Sequence, residues 1–262
     1  MAIPKIIHQI YWDFYGNNKK IPKKWGKYHL TWKEKFPEPE YKHILWDYDK
    51  SRNLIKENYN WFLETFDKYP KHIQRVDSAR YFILYHYGGI YSDLDCEVRE
   101  NFYEDLEMDN INIAGNPYGG NCGMNNLMAS NKNNEKWKKV FKELENRKDN
   151  LSTLNSTGPK VLGSLNQDNI KILDYKYYNP LKKSGFIKHN INRLFFDVSE
   201  EKTKTWDIAK VVHHGSESWA YSEVTCFIKH YSLIIIPIIV LLCLLIYYRS
   251  NINERIQRNN IF

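Results

Sequence analysis

Apolar residues occur along this chain in short dense runs, in one long helical stripe and in one unbroken block near the C-terminus. Lys5 to Trp12 (KIIHQIYW) has the apolar density of a buried first strand. Tyr41 to Trp46 (YKHILW) predicts a second strand, followed by a helix from about Ser51, whose hydroxyl suits an N-cap. From Lys71 to Tyr87 apolar residues fall at 73, 76, 79, 83, 84 and 87, the spacing of one helix face. Gly88-Gly89 then ends that helix, since glycine tolerates the left-handed backbone of a C-terminal cap. Ile90-Tyr91 opens another strand and Ile111 to Ala114 predicts one more. Lys132 to Lys148 reads as a helix and Ile208 to Val212 as a late strand. Strands alternating with helices predict an α/β domain with a mostly parallel central sheet. Such sheets bind ligands beyond the carboxyl ends of their strands.

The unbroken block is Tyr231 to Tyr248, YSLIIIPIIVLLCLLIYY, which holds no charged residue. Its length lies near the lower limit for a membrane-spanning helix, roughly 17–25 residues. Tyrosines flank it as interfacial aromatics do, and Pro237 falls in its first turns, where a kink is tolerated. A core helix would show one polar face, and this block shows none. The sequence therefore predicts a catalytic-type domain over 1–228, a transmembrane anchor over 229–248 and a polar tail over 249–262. No long apolar region of a signal peptide is expected at the N-terminus. A single-pass C-terminal anchor in the endoplasmic reticulum or Golgi follows. Its sidedness stays open: a tail anchor without a signal peptide leaves the domain in the cytosol, whereas Arg249, Arg255 and Arg258 against Glu254 favour a cytosolic tail end, and the sequons at Asn150 and Asn155 are acceptors only in a luminal domain.

Composition changes this picture little. The 262 residues are 42% hydrophobic and 15% aromatic, enough for one sizeable core. The net charge of +7 comes from lysines scattered among acidic residues, with no basic helix or arm, which argues against a nucleic-acid partner. The four cysteines, at 96, 122, 226 and 243, match neither a zinc site nor a redox pair.

Candidate chemistry concentrates in GGIYSDLD, Gly88 to Asp95. In an extended chain Asp93 and Asp95 point the same way, offering hard oxygen ligands to Mg²⁺ or Mn²⁺. Such an ion neutralises a diphosphate leaving group. An Asp-x-Asp alone is weak, because it occurs in many surface turns. Asp77 and Arg80 lie three apart on the helix that leads into it, so they share a face. Their bland interpretation is a surface ion pair.

Gln74 to Asp95 (QRVDSARYFILYHYGGIYSDLD) resembles the core signature of glycosyltransferase family 32, with the Asp-x-x-Arg, Gly-Gly-Ile-Tyr and Asp-x-Asp elements at that family's spacing. IPKIIHQIYW (Ile3 to Trp12), IPKKW (Ile21 to Trp25) and YKHILWDYD (Tyr41 to Asp49) resemble its N-terminal half. Thr157-Gly158-Pro159 and HHGSESW (His213 to Trp219) resemble its downstream elements. The resemblance implies a GT-A-type nucleotide-sugar-binding fold, a divalent metal, retention of anomeric configuration, and a leaving phosphate that itself takes the acceptor's proton. It places Asp93 and Asp95 on the metal, with His214 as third ligand. It places Asp77 and Arg80 on the donor sugar and counts them, with Asp95, as catalytic. Tyr11 or Trp12 would stack on the base, Tyr91 would line the donor site, and Ser218-Trp219 would close over the diphosphate.

The function expected is metal-dependent transfer of a hexose to a glycan or glycolipid acceptor. No feature of the sequence separates GDP-mannose from a UDP-sugar as donor. Two alternatives use the same residues: a catalytically inactive, membrane-tethered glycan- or nucleotide-sugar-binding protein, and a metal-dependent phosphodiester hydrolase.

Overall fold

Five short strands that all run one way, and one that runs against them, build the central sheet. They are β1 (Ile6–Ile10), β2 (Lys42–Trp46), β3 (Gly89–Ser92), β5 (Ile111–Ala114), β6 (Met124–Ser130) and β7 (Ile170–Leu173). Their order is β2-β1-β3-β6-β5-β7, and β6 is the strand antiparallel to its neighbours. The computed structural model describes residues 2–13, 20–117, 123–165, 170–180, 205–215, 237–247 and 249.

Side chains alternate across the sheet and feed two cores. Tyr91 and Met128 face a cluster with Phe62, Phe82, Trp137 and Phe141. That cluster is built by α2 (Tyr48–Asn58), α3 (Asn60–Lys68), α4 (His72–Tyr87) and α5 (Trp137–Asn146). Ile90, Leu127 and Ala129 face the other way, toward Trp32, Phe36, Val98 and Val211. Those residues belong to α1 (Lys23–Lys35) and to a separate antiparallel ladder of β4 (Cys96–Val98) with β8 (Val211–His213). Two short helices, α6 (Thr153–Ser156) and α7 (Tyr175–Tyr178), and three 3-10 turns accompany them among the described residues.

Several expected boundaries move. The helix expected from Ser51 begins at Tyr48, capped by Asp47, whose carboxylate accepts from the Lys50 amide at 2.8 Å. The helix expected over 132–148 is trimmed to Trp137–Asn146. The late strand shifts to Val211–His213, because Thr205–Ile208 forms a 3-10 turn.

Gly88 and Gly89 do more than end α4. Both have positive φ, 66° and 99°. A Cβ on Gly89 would come within 2.5 Å of the Ile6 carbonyl oxygen, and one on Gly88 within 2.6 Å of the Lys132 nitrogen. The chain therefore reverses from α4 into β3 against β1 only with glycine at both positions. His8 seals this junction. Trp46 Nε1 donates to His8 Nδ1 at 3.1 Å, and His8 Nε2 lies 2.9 Å from the Gly88 oxygen. Since Nδ1 accepts, Nε2 carries the proton and donates to Gly88. Burial lowers the His8 pKa to about 4, so the ring is neutral.

The chain divides into two compact units, Met1–Glu217 and Ser218–Phe262. In the second, residues 237–247 are helical. Its apolar side chains, among them Ile238, Leu241, Leu245 and Ile246, are each more than half exposed. No described helix is long and apolar enough to cross a membrane. The span expected over 231–248 is thus not seen as one element; its residues 231–236 and 248 lie outside the described residues.

Candidate active site

α4 runs antiparallel to β3, so its N-terminal half stands over the carboxyl end of that strand. This places Asp77 and Arg80 beside Asp93. Arg80 Nη2 lies 2.6 Å from Asp77 Oδ1, with the two side chains only 3% and 7% exposed. The pair is therefore not a surface ion pair, the bland alternative. Arg80 Nη1 reaches Asp93 Oδ1 at 3.2 Å and donates to the Asn125 carbonyl at 2.7 Å. Tyr91, two residues before Asp93 and on the same face, donates its hydroxyl to Asp93 Oδ1 at 2.7 Å. Its ring lies 4.8 Å beneath the guanidinium. Asp77 is held from behind as well. Thr157 Oγ1 donates to Asp77 Oδ2 at 3.2 Å, and Tyr81 donates to the Thr157 carbonyl at 2.8 Å.

The guanidinium thus joins two carboxylates in a nearly dry setting. Burial pushes the Asp77 carboxyl above the usual carboxylate range and Arg80 pulls it back. Partial burial likewise pushes Asp93 up, Arg80 opposes, and the Asp95 charge pushes further. A second cation near Asp93 and Asp95 would relieve that excess. Arg80 Nε is buried and has no hydrogen-bond partner among the described residues.

The acidic pair does not sit on an extended chain, as its i, i+2 spacing suggested. Cys96 N–H donates back to the Asp93 carbonyl at 3.0 Å, so Asp93 to Cys96 is a turn. The two carboxylates acquire different partners. Asp93 belongs to Arg80 and Tyr91, whereas Asp95 Oδ1 faces His213 Nε2 at 3.3 Å. Asp95, Cys96 and His213 offer donor atoms that all lie within 4.8 Å of one another. Burial and then the two aspartates hold the Cys96 thiol well above its ordinary pKa, so it is protonated. The ligands that suit a hard or borderline divalent ion are then the carboxylate and the imidazole. Burial pulls the His213 pKa down, but Asp95 and Asp93 outweigh it and hold it above the ordinary value.

His214, expected as the third ligand, faces elsewhere. Its Nε2 lies 2.8 Å from Glu97 Oε2, and its ring stacks on Tyr28 with centroids 4.1 Å apart. The reason is parity. Cys96 pairs with His213 across the β4–β8 ladder, and neighbouring residues on a strand point to opposite faces.

Of the two aromatics expected at the base, Trp12 is 6% exposed, edge-on to Tyr48 and Phe66, whereas Tyr11 is partly exposed against Trp25. Ser218 and Trp219 lie outside the described residues. Asn125, Thr157, Glu97 and His213 were not singled out as site residues. Thr157 stands in the Thr-Gly-Pro element, the one signal that could have marked it.

A mostly parallel sheet ending in this buried Asp–Arg–Asp arrangement, with an acidic turn at its edge, defines a glycosyltransferase of GT-A-like fold. Residues 22–115 match the glycosyltransferase sugar-binding region containing the DXD motif. An uncharacterized glycosyltransferase of Acanthamoeba polyphaga mimivirus is 33% identical over 193 residues, 68% of this chain and 73% of that protein. The chain belongs to glycosyltransferase family 32. A mannosyl phosphorylinositol ceramide synthase of Saccharomyces cerevisiae is 37% identical over 216 residues, 78% of this chain. The match spans 53% of that synthase, and 28% of an inositol phosphoceramide mannosyltransferase of Schizosaccharomyces pombe. Among solved structures, the ligand-free glycosyltransferase domain from the YGT toxin superposes with a TM-score of 0.50 at 10% identity. That superposition covers 66% of this chain and 80% of that one, a likeness of fold alone.

Proposed function

We propose that the chain is a metal-dependent, retaining glycosyltransferase that moves mannose from a nucleotide-sugar donor to a glycolipid acceptor. The observation that carries this is the buried Asp77–Arg80–Asp93 bridge at the carboxyl end of β3. The similarity to relatives named as inositol phosphoceramide mannosyltransferases supports the choice of mannose and of a glycolipid.

In this proposal Asp95 and His213 hold the divalent ion, with Asp93 beside them. When bound, Mn²⁺ or Mg²⁺ supplies positive charge to the departing diphosphate. Asp77 and Arg80 take the hydroxyls of the donor sugar. Because Arg80 is tied to the Asn125 carbonyl and seated on Tyr91, it does not reorganise as charge develops. Tyr11 takes the base. Residues 231–248 tether the protein to an endoplasmic-reticulum or Golgi membrane. The helical stretch 237–247, apolar on every exposed face, supports that assignment.

A donor screen tests the proposal. The full chain is offered GDP-mannose and several UDP-sugars with Mn²⁺, scoring released nucleotide diphosphate and glycosylated lipid. GDP release that needs both Mn²⁺ and a lipid acceptor is expected, and EDTA should abolish it. Phosphate release without a sugar product would identify a hydrolase. Donor binding without turnover would identify an inactive binding protein.

A further inference from the structure

Lysines expected to be scattered over the surface are gathered by α1 onto one outward face. Residues 20–35 hold six lysines and one glutamate, an excess of five positive charges in a chain whose net charge is +7. Along α1, Lys23, Lys27 and Leu30 follow one another at i, i+4 and i+7, so they form one line, flanked by Lys24 and Lys33. All five are exposed. Glu34, the one acidic residue of the helix, pairs with Lys35 at 2.7 Å. Lys20, Lys23, Lys24, Lys27 and Lys33 form no ion pair among the described residues, and Lys27 Nζ lies 4.7 Å from the centre of the Tyr28 ring.

The helix does not need these charges for its own stability. Lys23 and Lys24 occupy its first turn, where the positive end of the helix dipole opposes them, and no acidic residue shares that turn. Leu30, in the middle of the face, is 62% exposed. An exposed leucine among unpaired lysines, on a helix about 20 Å long, suits the boundary between lipid and water: the lysines meet headgroup phosphates and the leucine meets the acyl layer. A nucleic acid would offer the phosphates but no apolar layer.

The inner face of α1 holds one edge of the site. The Tyr28 ring stacks on His214, the neighbour of His213, with centroids 4.1 Å apart. Trp32 Nε1 donates to the Cys96 carbonyl at 2.9 Å, and Thr31 Oγ1 accepts from the Val98 amide at 3.1 Å. Whatever fixes the outer face of α1 therefore also fixes the β4–β8 ladder that carries Asp95 and His213.

We propose that the outer face of α1 docks on an anionic lipid bilayer and holds this edge of the site at the membrane surface. The docking goes beyond the transferase proposal and beyond the anchor over 231–248, since it needs neither turnover nor a spanning helix.

Lysine acetylation followed by peptide mass spectrometry tests it. The full chain is incubated with vesicles of phosphatidylcholine alone, or of phosphatidylcholine mixed with phosphatidylserine, without any donor. In the anionic vesicles Lys23, Lys24 and Lys27 should be acetylated about fivefold or more slowly than in the neutral ones. High salt should remove most of that difference by screening. Lys56 of α2 and Lys142 of α5, both exposed, should react at the same rate in the two vesicles and serve as references. A variant carrying Lys27→Glu and Leu30→Glu should lose the protection of Lys23 and Lys24 with an unchanged melting temperature, since both positions are exposed. Equal acetylation of α1 in the two vesicles overturns the proposal, as does equal protection of the reference lysines. Protection retained by the variant overturns it too. So does protection by duplex RNA that exceeds protection by the anionic vesicles, which would make the face a nucleic-acid surface.

Discussion

Arg80 holds the site together because it is the one described cation between Asp77 and Asp93; it is buried with Asp77, and Asp93 is partly exposed. A buried ion pair contributes little net stability, since desolvation offsets attraction. Its value lies in orientation. Asp77→Asn keeps the shape and the bond to Thr157 but removes the charge that fixes the guanidinium. Transfer should fall on the order of 10²-fold, while nucleotide diphosphate binding stays unchanged in a calorimetric titration. An equal loss of both would remove Asp77 from the sugar end of the site. The two histidines separate just as sharply. His213→Ala should raise the Mn²⁺ concentration needed for half-maximal activity by about 10-fold or more. His214→Ala should leave that requirement alone and loosen the Tyr28 and Glu97 contacts, read as a lower melting temperature. The reverse result would restore His214 as the ligand.

At the scale of elements, the junction from α4 through Gly88-Gly89 into β3 sets where the acidic turn emerges. Gly89→Ala meets both an unfavourable φ of 99° and a backbone oxygen at 2.5 Å. The substitution should cost about 3 kcal/mol or more, as strain and overpacking add. Urea denaturation measures this; a loss below about 1 kcal/mol would mean the junction yields more readily than its geometry implies. His8 makes the same junction sensitive to acid. Its pKa is about 4 folded against an ordinary 6.5, so the unfolded chain takes up the proton first. Above pH 6.5 the ring has no effect. As pH falls from 6.5 toward 4 the folded state loses stability, up to about 3 kcal/mol. His8→Gln should flatten that part of the curve of stability against pH. An unchanged curve would show that the titration belongs to other groups.

At the scale of the whole molecule, every candidate site residue from Tyr11 to Trp219 precedes the uncharged block over 231–248. A chain ending near Ile228 should partition into the aqueous phase without detergent and keep its near-ultraviolet circular dichroism, whereas the full chain should partition with detergent. Aggregation of the shortened chain would mean that the block packs against the domain. Partition of the full chain into water would remove the anchor altogether.

Local physics alone determined the run from α4 into the acidic turn. A helical period, two glycines required at positive φ and a short apolar strand are each written in adjacent residues, and Ile111–Ala114 was legible for the same reason. β6 was not legible, because Asn125 and Asn126 break its apolar alternation. Those polar groups are buried toward the site, a preference that exists only after folding. α1 was hidden by its lysines, since only Tyr28 and Trp32 of it are buried. The choice between His213 and His214 is likewise tertiary. It depends on the register of a ladder whose strands lie far apart in sequence, where a shift of one residue exchanges the two faces. Sequence spacing put Asp77 and Arg80 on one face of a helix. Only the packing of that helix over β3, with Asn125 and Thr157 brought in from distant segments, buried the pair and made it a site.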